Sequence, residues 1–97
     1  MNRNHDLEFN ISIGKIMERR RLAEGLSRRQ VLNLINDQRS TQIVACYELG
    51  QKPVALPFAV KWCEAMGVSL DQLLDLVERD MARDLVEAEH NSDGPTK

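Results

Sequence analysis

The stretch from Ser40 to Gly50 constrains the fold more than any other part of this chain, because both of its ends are written locally. Ser40 is a residue type that caps a helix by accepting a hydrogen bond from one of the unpaired first N–H groups. Gly50 is the residue that most readily takes the left-handed conformation closing a helix. Between them, Ile43, Val44 and Tyr47 give a single narrow apolar stripe, while Thr41, Gln42, Ala45 and Cys46 lie off it and are small or neutral. A helix this short is marginal alone and must be held by packing. The rest of the chain therefore has to supply a scaffold, and this helix reads as one held out for display.

The same punctuation recurs on either side. Residues 1–10 are polar apart from Phe9 and read as a flexible segment. A first helix is expected from about Ile11 to Glu24, capped by Asn10 or Ser12, with Ile13, Ile16, Met17 and Ala23 loosely in helical period and Gly25 as its stop. Ser27 caps a second helix, with Arg28, Arg29 and Gln30 in its first turn and Val31, Leu32, Leu34 and Ile35 after them. Cations there oppose the helix dipole, which suggests that they meet an anion. Asn36 to Arg39 form a polar connector to the display helix, and Gly50 to Pro53 a turn. Pro57 suits the first turn of a fourth helix, whose broad apolar face (Phe58, Ala59, Trp62, Cys63, Ala65, Met66) ends at Gly67. Ser69 and Gln72 form a capping box for a fifth helix. Its stripe of Leu70, Leu73, Leu74, Val77, Met81 and Leu85 runs to about Ala88. Residues 90–97 read as a flexible tail. No alternating strand pattern is present, so the fold class is all-α.

Several function classes fall away. The two cysteines, Cys46 and Cys63, lack the spacing of a zinc site or a disulfide framework, and no metal or cofactor is implied. His5 and His90 lie in the expected tails, and no nucleophile–base or paired-carboxylate arrangement stands out, so an enzyme is not expected. Asp75, Glu78, Asp80 and Asp84 read as a hydrated helix face. No apolar run is long enough for a membrane span, nothing resembles a signal peptide, and a reduced cytoplasmic setting is expected. The net charge is −2, but it is unevenly placed. Residues 1–52 hold nine Lys/Arg against six Asp/Glu, and residues 53–97 hold four against nine. An anion-facing first half and an acidic, solvating or partner-facing second half follow.

Three motifs in register then resemble one family. They are Ile13-Gly14 with Arg21 and Gly25-Leu26-Ser27; Ser40 through Tyr47-Glu48-Leu49-Gly50; and Met66-Gly67-Val68-Ser69-Leu70-Asp71-Gln72-Leu73-Leu74. Together they resemble the lambda Cro/CI-type, or XRE-like, helix-turn-helix regulators. The resemblance implies a compact five-helix lambda-repressor-like domain over residues 11–75, followed by a C-terminal helix extension over 76–89. The connector after Ile35 is longer than the family's turn and lacks its glycine, and Leu32 stands where the family prefers alanine.

The resemblance also implies roles. The display helix would enter the major groove of double-stranded DNA, where Gln42 pairs with adenine and Thr41, Ala45, Cys46 and Arg39 lie near base edges. Ser27, Arg28, Arg29, Ser40, Gln51 and Lys52 would hold phosphates, which set register rather than read sequence. Arg21 and Glu48 would form a structural ion pair. Val77, Met81 and Leu85 continue the apolar stripe past Leu74, where the core's need for the fifth helix ends, and would join two copies, the alternative being that this segment folds back on its own domain. The expected function is a transcriptional regulator, a repressor binding a palindromic operator as a homodimer. The alternative is an antitoxin-like or protein-interaction module using the acidic C-terminal half.

Overall fold

A computed structural model describes residues 5–93, and the side chains of residues 6–83. They form five α-helices: α1 (His5–Ala23), α2 (Arg28–Leu34), α3 (Thr41–Glu48), α4 (Leu56–Met66) and α5 (Leu70–Asp93). No strand occurs among the described residues. The architecture is all-α. α1 runs along α5 and crosses α3, α2 packs on α3 and α4, and α4 rests on α5.

Local chemistry accounts for most of the helix ends. Ser27 Oγ accepts from the Gln30 N–H at 3.0 Å while Gln30 Oε1 accepts from the Ser27 N–H at 2.7 Å, a reciprocal capping box. Ser69 and Gln72 do the same for α5 at 3.0 and 2.8 Å. Ser40 Oγ caps α3 through the Gln42 N–H. The connector between α2 and α3 replaces the missing glycine with Asn36, whose φ of 56° is left-handed. Asn is the residue after glycine that best tolerates this region. The Asp37 N–H then reaches the Leu32 carbonyl at 2.8 Å and the Asn36 N–H reaches that of Asn33 at 3.1 Å. This is the doubly hydrogen-bonded close of a Schellman motif, and it satisfies the orphan carbonyls of α2. Leu32 itself has no exposed surface, so the core accommodates it in place of alanine.

Expectations for both ends of the chain are corrected. The first helix starts at His5 rather than at Ile11. Phe9 packs against the core, and Asp6 and Glu8 in the first turn complement the helix dipole. Ser12 caps nothing. It is buried, and its hydroxyl donates to Asp80 Oδ2 at 2.6 Å. The core likewise does not end at Leu74. Val77 is fully buried and Met81 packs partly against the same cluster. Asp80 is not part of a hydrated face: it is 5% exposed, held by Ser12 and by Lys15 Nζ at 3.2 Å. Residues 76–81 of α5 therefore belong to the domain, and 90–93 continue the helix.

Candidate nucleic-acid interface

α3 is seated by very close backbone contacts. A Cβ at Gly14 would come within 2.3 Å of the Tyr47 carbonyl oxygen and 2.6 Å of that of Glu48, so only glycine lets α1 cross α3 at this distance. At the other edge, Gly50 turns with φ 73° against Ile11. Val44 and Tyr47 point into the core, and the Tyr47 ring meets Phe58 edge to face with centroids 4.8 Å apart.

The inner end of α3 carries a buried charge cluster. Arg21 donates through Nε to Glu48 Oε2 at 2.6 Å and through Nη2 to Oε1 at 3.0 Å, and its Nη1 caps the Leu26 carbonyl at 2.8 Å. Arg21 is 7% exposed and Glu48 5%. A two-pronged guanidinium–carboxylate pair whose third nitrogen also donates to a backbone carbonyl is the arrangement that makes such burial tolerable. The hydrogen bonds that Arg21 donates to Glu48 hold its guanidinium above its ordinary pKa despite desolvation. Glu48 has a further partner that the sequence did not suggest: Arg28 donates through Nε to Oε1 at 3.0 Å. Arg28 is half-buried and turned inward to α3, and it also approaches Glu18 at 4.0 Å.

The outward side of α3 is the opposite in character. Gln42 is exposed, and Thr41, Ala45 and Cys46 are half-buried along the same side. Flanking it, Ser27, Arg29, Ser40, Gln51 and Lys52 are all exposed. Arg29 Nη2 donates to the Arg39 carbonyl at 3.5 Å. Arg39 is exposed as well, but its guanidinium is held by Asp37, with Nε at 3.1 and 3.2 Å from the two carboxylate oxygens and Nη2 at 2.8 Å from Oδ2. Hydrogen bonds from Arg39 keep the Asp37 carboxyl below the usual carboxylate range, with Lys61 adding a smaller pull. Asp37 went unremarked in the sequence, although an acid two places before an arginine in a polar connector is a legible signal.

Along α5, Val77 offers a second copy no surface, since α1 covers it within the subunit. Burial against Ser12 and the α1 core is the physical reason. Met81 is half-buried, and the side chain of Leu85 lies outside the described ones. Among the described residues no group of His, Cys, Asp or Glu has the arrangement to hold a metal, and no helix is long and apolar enough to cross a membrane.

Two helices joined by a six-residue connector, the second exposing one side and anchored on the other, make this a five-helix helix-turn-helix fold. The clp gene regulator ClgR from Corynebacterium glutamicum, known from its crystal structure, shares it. The two chains match with a TM-score of 0.78 at 19% identity, over 87% of each. At that identity the likeness speaks for the fold. No family model matches the chain, and no curated protein sequence does.

Proposed function

We propose that this protein is a transcriptional regulator that binds double-stranded DNA through α3, as a repressor and as a homodimer on a palindromic operator. One observation carries the reading: α3 is anchored on its inner side by a buried ion cluster and a glycine crossing, and displays small and amide side chains outward between exposed basic and hydroxyl groups. A helix of this size fits the major groove, where each base pair shows a distinct donor and acceptor pattern. Gln42 is the adenine reader, with Thr41, Ala45 and Cys46 beside it. Arg29, Lys52, Gln51, Ser27 and Ser40 meet phosphates, and Arg28 contributes less than its position suggests because Glu48 occupies its Nε. The gene-regulating role of a protein with the same fold is consistent with this.

A helix of this length contacts only a few base pairs, so a twofold pair on two half-sites is the economical route to specificity. Val77 is not part of that interface. Selection from a randomised duplex library tests the whole reading. An enriched motif with internal twofold symmetry, bound by two copies, is the expected outcome. Recovery of no preferred duplex, with binding insensitive to salt, would favour the protein-interaction module instead.

A further inference from the structure

The connector between α2 and α3 holds an arginine and its carboxylate in an unequal arrangement. Asp37 is the fixed half. Its N–H is bonded to the end of α2 through the Leu32 carbonyl, its Oδ1 accepts the Arg39 backbone N–H at 3.0 Å, and its side chain is 16% exposed. Arg39 is the outward half, with a side chain 51% exposed. Asp37 occupies one edge of the guanidinium, the edge made of Nε–H and one Nη2 hydrogen. The planar fork has a second edge, a parallel pair of hydrogens from Nη1 and Nη2, and the Tyr47 side chain also interacts with this guanidinium. Arg39 immediately precedes Ser40, the residue that caps α3.

We propose that Asp37 is a positioning residue that makes Arg39 a guanine reader at the leading end of α3. The inference rests on the reading of α3 as the base-reading helix. Two parallel donors on a pre-oriented guanidinium match the O6 and N7 acceptors that guanine alone presents side by side in the major groove. A long, flexible arginine normally loses its rotamer freedom on binding, and here the carboxylate has removed much of it beforehand. Asp37 also keeps the pair nearly neutral, which lowers its attraction to phosphates on arbitrary DNA.

The test uses the full chain and three probes: the duplex that it selects from a random library, the same duplex with each G·C pair replaced in turn by A·T, and a scrambled duplex. The wild type should lose about tenfold or more in affinity at one guanine position. Asp37→Asn keeps an oxygen for the Arg39 N–H and so keeps the turn, but gives up the charge and the two-pronged hold. It should shrink that guanine penalty to severalfold at most, while binding the scrambled duplex as tightly or more tightly. Arg39→Lys should lose the same penalty, since an ammonium cannot make the paired contact. Thermal unfolding shows whether each variant is folded. A guanine penalty unchanged in Asp37→Asn overturns the inference alone. Equal weakening on selected and scrambled duplexes would reduce Asp37 to a turn residue. A wild type with no preference among duplexes would sink both the inference and the function on which it rests.

Discussion

Glu48 holds two guanidinium groups, from Arg21 and Arg28, against the inner end of α3. Removing the carboxylate leaves a buried Arg21 unpaired, so Glu48→Ala should lower stability by roughly 3 kcal/mol or more. Replacing Arg21 and Glu48 together by apolar residues should cost clearly less than the sum of the single changes. Urea unfolding of the four proteins measures this, and strict additivity would show that the pair is energetically uncoupled. Asp80 makes a second residue-scale prediction. Burial alone would raise its carboxyl, but the Ser12 hydroxyl, Lys15 and the more distant Arg19 together hold it below the ordinary value. A carboxyl with a depressed folded pKa binds fewer protons than in the unfolded chain, so its contribution is complete above the unfolded value of about 3.9. It fades as pH falls through the lower folded value. The stability gap between wild type and Asp80→Asn should therefore be widest near neutral pH and close below about pH 4. A gap independent of pH would show that Asp80 does not act through its charge.

At the scale of helices, what was legible in the sequence was what is local. Ser27, Ser40 and Ser69 cap helices through neighbours two or three residues away, and Gly25, Gly50 and Gly67 close them with left-handed φ. Arg21 and Glu48 are distant in sequence and were visible only because a whole motif places them. Ser12 and Asp80 had no such motif. Two polar residues that satisfy each other on a buried face look like solvated positions, so α1 showed only a loose apolar period and α5 seemed to leave the core early. The start of α1 is hidden for a related reason, since Phe9, a lone apolar residue in a polar segment, declares a helix only through its packing against the core. Gly14 gives the element-scale prediction. Alanine would improve helix propensity by about 1 kcal/mol, but its Cβ would strike two backbone carbonyls that cannot swing aside. Overpacking of this kind costs about 1–3 kcal/mol or more, so Gly14→Ala should melt at a lower temperature than wild type. A raised melting temperature would mean that α1 and α3 separate without penalty.

For the whole molecule, the uneven charge matters more than the net value of −2. Several basic groups of the first half are already paired within the protein: Arg21 and Arg28 share Glu48, Arg28 also approaches Glu18, and Arg39 is paired with Asp37. Arg29 and Lys52 remain exposed on either side of α3. Long-range attraction to DNA should then be modest, and discrimination should come from the displayed side chains. The central claim is that base reading and phosphate anchoring belong to different residues of one face. Affinities of wild type, Gln42→Ala and Lys52→Ala, taken by fluorescence anisotropy on selected and scrambled duplexes across a salt series, test it directly. Gln42→Ala should cost about 1–3 kcal/mol on the selected duplex and little on the scrambled one. Lys52→Ala should weaken both alike and reduce the slope of log K against log salt by about one per subunit contact. Equal losses on both duplexes for Gln42→Ala, or wild-type binding that does not respond to salt, would contradict the account.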